Sequence, residues 1–262
     1  MPNLPSPRSA LPLPLRIATY NINWGNARIE EVVSAIQQSD ADIVCLQETN
    51  AQSAATLRQV FSRQYPTIRF FGSVERYAAA GFGLLSRIPL RSEKFLPAED
   101  GLFGACLVEL DTGDPAAQIL NVHLQPVIFD RPRDEVGLVH VRDAFLNAER
   151  IHLREIKHLL THIDPDSPSL ILGDFNSLSS FQAPSFLRDR GYLDSFAGTV
   201  NGPDAHPTWH WSTRLGDVSF RIDYIFHSPD WRTTDSQVIR TSGSDHFLLV
   251  SSLELVAVGD AH

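Results

Sequence analysis

The chain has 262 residues, 43% of them hydrophobic, enough to bury a large core in one large domain or two small ones. A formal net charge of −9 argues against coating nucleic acid or anionic membrane by bulk electrostatics, and leaves room for a local basic groove. Its two cysteines, Cys45 and Cys106, sit in apolar runs, make no disulfide framework and read as small buried hydrophobes.

The first fifteen residues, MPNLPSPRSALPLPL, carry only Arg8 as a base and are interrupted by proline throughout. They do not make a signal peptide and read as a flexible lead-in. No run approaches the length of a membrane span, so the expectation is a soluble, cytoplasmic chain without stable membrane association. RIATYN (16–21) reads as a strand. ARIEEVVSAIQQ follows with Ile29, Val32, Val33 and Ile36 at helical spacing and Glu30 and Glu31 in its first turn. DIVCLQ (42–47) is a second strand that runs into Glu48, and the strand–helix–strand order marks an α/β unit. A weaker helix is expected over 54–61.

Three β-like runs come next: GFGLLSR, GACLVEL and QILNVHL. TGDP (112–115) joins the last two as a hairpin turn. The polar segment 125–142 has no clear period and interleaves Arg131, Arg133 and Arg142 with Asp130, Asp134 and Glu135. It reads as a long functional or mobile loop. Leu146, Leu153, Ile156, Leu160 and Ile163 then form one helical stripe with Glu149 as its exception. LILGDFN is a strand, FLRDRGYL a short helix ended by Gly191, and RIDYIF and FLLVSSLEL are strands. No composition break or tandem repeat divides the chain, so residues 16–258 are expected to form one α/β domain.

Six of these β-like segments deliver polar groups at or near a strand end. They are Asn21 with Asn23, Glu48, His123, Asp174 with Asn176, Asp223, and Asp245 with His246. Any one of them alone is most often a turn former, a helix cap or a satisfied core group. Together they imply a shared rim. Carboxylates gathered there repel unless a cation sits among them, and Glu, Asp and Asn oxygens suit Mg²⁺ or Mn²⁺. His123 and His246 suit acid–base or phosphate-contacting work. Adjacent residues on a strand point apart, so a carboxylate other than Asp245, such as Asp223, is expected to orient one of the histidines.

Taken in order, TYNIN, LQETN, NVHLQ, LGDFNS, RIDYIF and SDHFLL resemble the signature of the endonuclease/exonuclease/phosphatase superfamily, from Thr19 to Leu249. The resemblance implies a four-layer α/β sandwich, two mixed β-sheets packed face to face with helices outside. It implies a phosphodiester hydrolase dependent on Mg²⁺ (or Mn²⁺), in which water attacks phosphorus in line. Glu48 resembles the principal metal ligand, supported by Asn21, with Asp245 ligating or orienting. Asp174 resembles the residue that positions or deprotonates the water. Asn176 and His123 would hold the scissile phosphate, and Asp223 would orient a catalytic group or join the metal site. His246 would stabilise the transition state or act as acid–base.

Arg150, in ERIHLREI, sits where phosphodiesterase-like members carry a phosphate-contacting Arg, although the Gln that accompanies it there is Leu153 here. Glu75 resembles a rim Glu of the family, but at a loose spacing, and reads as a surface residue beside Arg76. Trp24, Trp209, Trp211 and Phe220 neighbour these positions and suit stacking on a base or covering an acyl chain, with Phe220 read as core filling. The expected substrate is nucleic acid, DNA or RNA, and the alternative is a lipid or small-metabolite phosphoester. A catalytically inactive scaffold is disfavoured because no member of the constellation is missing. No protein partner is expected.

Overall fold

Runs buried on both faces become the central strands. β1 (Leu15–Asn21) and β2 (Ile43–Gln47) pair in parallel. So do β7 (Gln118–His123) and β8 (Ser169–Asp174), whose residues are all buried. Parallel strands covered on both faces need such near-continuous apolar sequence. The computed structural model describes residues 14–26, 28–72, 77–113, 115–127, 138–213 and 216–256. The Pro-rich lead-in lies outside them except at its end, where Leu15 is already a buried residue of β1 rather than part of a flexible tail.

The remaining strands are β3 (Thr67–Phe71), β4 (Phe82–Ser86), β5 (Leu90–Leu96), β6 (Ala105–Leu110), β9 (Leu193–Asp194), β10 (Trp209–Thr213), β11 (Gly216–Phe220), β12 (Asp223–His227), β13 (Trp231–Ile239) and β14 (Leu248–Leu255). One six-stranded sheet has the order β13-β14-β1-β2-β4-β3, the other β5-β6-β7-β8-β12-β9, and β10-β11 form a separate hairpin. Both sheets are mixed. Leu15, Ile17 and Cys45 of the first meet Val108, Ile119 and Leu172 of the second in the central core. The outer face of the first sheet packs on α1 (Ile29–Ser39) and α2 (Ala51–Phe61), through Val32, Ile36, Leu57 and Phe61. The outer face of the second packs on α3 (Leu138–Leu160) and α4 (Gln182–Asp189), through Ile156, Leu159, Ala183 and Leu187. The result is the four-layer α/β sandwich.

A polar bond crosses the sandwich: Gln47 Nε2 donates to Asn121 Oδ1 at 2.6 Å, and Asn121 Nδ2 donates to the Leu46 carbonyl at 3.1 Å. Both side chains are buried, so the bond fixes how the sheets face each other directly beneath the strand ends.

Two features differ from the sequence reading. The polar segment is not a loop throughout: residues 128–137, with Arg131 and Arg133, lie outside the described residues, and α3 begins at Leu138. Arg142 is therefore on the helix, paired with its neighbour Asp143. The buried face of α3 only partly follows the expected stripe. Ile156 and Ile163 are buried and Leu160 packs against the core, but Leu146 is exposed, and Ala148, His152, Glu155 and Leu159 are buried beside them. Two polar residues complete that face, which a hydrophobic count passes over.

Burial, aided by Asp100, pushes the Glu155 carboxyl up to about 8, against the bond it accepts from the Gln125 N–H. The unfolded chain loses this proton near pH 4.5. Stability contributed by the bound proton is thus complete below about 4.5 and is lost as pH rises towards about 8. Glu155→Gln should flatten that decline in denaturant unfolding measured across pH 4–9, and an unchanged slope would refute the assignment.

Candidate active site

Strand direction gathers the site. β1, β2, β7 and β8 end on one edge of the sandwich, and β12 starts there, as does β14 just after His246. Register does the rest: His123 lies opposite Asp174, and Asp174 opposite Asp223, giving one row across β7, β8 and β12. On the facing sheet Asn21 lies opposite Gln47, one residue before Glu48.

The stretch LQETN makes a strand-to-helix turn. Gln47 ends β2, Glu48 takes the left-handed conformation with φ 59°, and Asn50 caps α2 in a reciprocal box with Ser53. Asn23 (φ 56°) and Asn176 (φ 48°) share that conformation. Asparagine tolerates it; for glutamate it costs on the order of 1 kcal/mol. In LGDFNS, Gly173 has φ 138°, and a Cβ there would lie 2.0 Å from the Val122 carbonyl oxygen. Phe175 is buried against Tyr224 and Phe226, which anchors the turn between Asp174 and Asn176. Gly173→Ala should therefore cost about 3 kcal/mol by denaturant titration, because β7 and β8 must part beside the site. A cost below about 1 kcal/mol would show that the strands yield freely.

The side chains form a connected array. Asn21 Nδ2 donates to Glu48 Oε1 at 3.0 Å and to Asp174 Oδ2 at 2.9 Å, joining the two sheets. The Trp24 N–H holds Glu48 Oε2 at 3.0 Å. His123 Nε2 lies 3.5 Å from Asp174 Oδ2 and 3.8 Å from Glu48 Oε1, with its ring stacked on Phe103 at 4.3 Å. His246 Nδ1 pairs with Asp223 Oδ2 at 2.9 Å, while its Nε2 faces Asp174 Oδ2 at 3.6 Å. Asn176 donates its backbone N–H to Asp174 Oδ1 and its Nδ2 to the Leu124 carbonyl, both at 2.9 Å.

Burial sets the protonation states. It drives the His123 imidazole down to about 4 against the pull of Asp174, so this ring is neutral near pH 7. Burial also raises the Asp174 carboxyl to about 6, with Asp223 adding to the rise and His246 opposing it. Burial works against a charge on His246, yet Asp223 and Asp174 overcome it and lift its pKa to about 10. A neutral histidine, a carboxylate titrating near neutrality and an imidazolium thus share one rim.

Glu48, Asp174 and Asp223 are hard oxygen donors, and Asp223 Oδ1 is buried with no hydrogen-bond partner among the described residues. Asp174, Asp223 and His246 each offer a ligand atom within 4.8 Å of the others. An orphaned carboxylate oxygen in a crowded acidic site fits a divalent cation. The side-chain oxygens of Asn21 and Asp245, the other expected ligands, accept hydrogen bonds from within the protein. Asn21 Oδ1 is turned to the Asn23 N–H. Asp245 accepts from Asn23 Nδ2 at 2.9 Å and from Trp209 Nε1 at 3.1 Å.

Arg150 is exposed on α3, and no hydrogen bond or ion pair joins it to the described rim residues. Glu75 lies outside the described residues. Phe220 is not core: it is 42% exposed and stacks on Trp209 across the β10–β11 hairpin. Trp24 and Trp211 are exposed as well. Sequence reading missed Thr208, whose Oγ1 accepts from both the Ile222 and Asp223 N–H groups at 3.1 Å and sets where β12 begins. It also missed the Asn23–Asp245–Trp209 clamp. The residue types signal neither, since both depend on chain segments far apart in sequence.

The family model described as "Endonuclease/Exonuclease/phosphatase family" matches residues 18–246. Among solved structures, an endonuclease/exonuclease/phosphatase from Beutenbergia cavernae DSM 12333 superposes with a TM-score of 0.69 at 19% identity, covering 92% of this chain and 71% of that one. A family protein from Leptotrichia buccalis C-1013-b gives 0.66 at 16%, covering 92% and 100%. A D. rerio TDP2 humanized by 14 mutations gives 0.63 at 15%, covering 92% and 98%. No curated protein matches the chain by sequence.

Proposed function

The chain belongs to the endonuclease/exonuclease/phosphatase family of hydrolytic phosphoesterases, and on that footing we propose that it is a divalent-metal-dependent phosphodiester hydrolase acting on nucleic acid. The observation that carries this reading is the rim itself: the row His123–Asp174–Asp223, His246 held by Asp223, and Glu48 held across the seam by Asn21. Asp174 titrates near neutrality and accepts the proton of the attacking water. His246, cationic at neutral pH, faces the charge that develops on the phosphoryl oxygens. Neutral His123 and the remaining Nδ2–H of Asn176 hold the phosphate in line for attack. Glu48, with the most open carboxylate, would hold the metal together with Asp174 and Asp223, with Asn21 and Asp245 in support. A bound divalent cation supplies neutralisation of phosphate charge.

Aromatic surface supports nucleic acid as the substrate. Trp24 sits on Glu48 through its N–H, and Trp211 shares a face of β10 with Trp209, which holds Asp245. Trp24 is 49% exposed and Trp211 54%, so both offer rings for bases to stack on. Among the described residues no helix is long and apolar enough to cross a membrane. The net charge of −9 favours the second reading, a compact lipid or metabolite phosphoester that needs no basic track.

The test is hydrolysis of single- and double-stranded DNA, RNA, phosphodiester lipid vesicles and a chromogenic phosphodiester, with Mg²⁺ or Mn²⁺. Cleavage of a nucleic acid, abolished by EDTA and by Glu48→Gln, is the expected result. Cleavage confined to lipid or to the small diester would replace nucleic acid with the compact substrate, and metal-independent turnover would overturn the chemistry.

A further inference from the structure

α3 carries two buried polar side chains that the reaction does not use, His152 and Glu155. Both bond to Gln125, two residues past His123. The Gln125 N–H donates to Glu155 Oε2 at 3.1 Å, and the Gln125 carbonyl pairs with His152 Nε2 at 2.5 Å. The residue before it is held by the catalytic strand. The Leu124 N–H donates to the Asp174 carbonyl, and the Leu124 carbonyl accepts from Asn176 Nδ2, both at 2.9 Å.

The Leu124 carbonyl and the Gln125 N–H belong to the same peptide unit. That unit is planar and stiff, with its oxygen and hydrogen pointing in opposite directions. Glu155 grips one end, and the other end grips the amide of Asn176. We propose that Glu155, backed by His152, is a positioning residue that orients Asn176 through the Leu124–Gln125 peptide. The proposal rests on the phosphate-holding role given to Asn176 above. Without the Glu155 acceptor the peptide tilts, its carbonyl swings, and the side chain of Asn176 loses the bond that sets its rotamer. The packing shows how closely Glu155 is placed: Gly101, with φ 75°, lies against it where any Cβ would overlap Oε1.

The test uses the full chain with Mn²⁺ and a chromogenic phosphodiester. Glu155→Met keeps the volume and removes the acceptor; Glu155→Gln keeps an acceptor. Asn176→Ala should lower kcat/KM about 100-fold and Glu155→Met about 10-fold, mostly in kcat, with Glu155→Gln within about twofold of wild type. The double variant Glu155→Met/Asn176→Ala should be no slower than Asn176→Ala, because the first change acts only through the second residue. Wild-type turnover in Glu155→Met, or additive losses in the double variant, overturns the proposal. Full activity in Asn176→Ala removes the role of Asn176 itself, and the proposal falls with it.

A second readout needs no turnover. The side-chain NH₂ resonance of Asn176, identified by its loss in Asn176→Ala, should shift in Glu155→Met and stay in place in Glu155→Gln. An unmoved resonance overturns the proposal. His152→Leu, which removes the bond to the other side of Gln125, should shift it in the same way if Glu155→Met does not fold.

Discussion

Asp174→Asn should lower kcat/KM by about 10³-fold while the thermal midpoint moves by no more than a few degrees. Asparagine keeps an oxygen for the Asn176 N–H, and, being neutral, it escapes both the burial penalty that raises the Asp174 carboxyl and the repulsion by Asp223 that adds to it. What it cannot do is accept the water's proton, the role proposed for Asp174. His246→Ala should lose a comparable factor for a different reason, since it removes the cation that the proposed mechanism sets against the phosphoryl oxygens and leaves Asp223 without its partner. Assays at saturating Mn²⁺ with a melting curve for each variant decide the matter. More than about a tenth of wild-type activity in Asp174→Asn would remove Asp174 from the chemistry.

The largest loss of stability is expected at Asp194, away from the reacting atoms. It forms a two-pronged ion pair with Arg221 at 2.8 and 2.6 Å, and both side chains are almost fully buried. The guanidinium lies between the rings of Phe196 and Tyr224. Asp194→Ala would leave that cation buried without its counter-charge, at a cost of about 3–5 kcal/mol. The thermal midpoint should fall on the order of 10 °C. The double variant Asp194→Leu/Arg221→Met should recover much of the loss, because removing both charges also removes their desolvation cost. If the single variant melts like wild type, water reaches the pair and the ring sandwich is loose. Arg221 stands two residues before Asp223, so activity should decline along with stability.

The central strands and the polar tips of β1, β2, β7, β8 and β12 were legible in the sequence. An apolar run that stops at Asn, Glu, His or Asp leaves two marks at once. The strands that escaped are mostly the sheet edges, β3, β5, β9 and β13. TIRFF and LRSEKFL carry charges and WRTTDSQVI is polar along two thirds of its length, because an unpaired edge has to be guarded against pairing with another chain. Their sequence resembles loop for the same reason that they are safe. α3 was read in part only, through a related cause: Ile156, Leu160 and Ile163 do face the core, but His152 and Glu155 also fill core positions because Gln125 bonds them, a partner that helical periodicity cannot reveal. Within the site, the residue types pointed to the rim. How Glu48, Asn21 and Asp245 are bonded depends on which oxygen faces which donor, and only the three-dimensional register supplies that.

Leu15 pairs with Leu253, so the first described strand lies beside the last. A ribosome makes Asn21 more than 200 residues before Asp245 and His246. Until β14 is made, β1 has no partner on that side, and before His246 is made Asp174 and Asp223 have no imidazolium beside them. The long gap between β1 and β14 makes their pairing a late and entropically costly closure. On the roles proposed above, hydrolytic competence waits for that closure, and a chain released before Asp245 should be inert however much of its sandwich has formed.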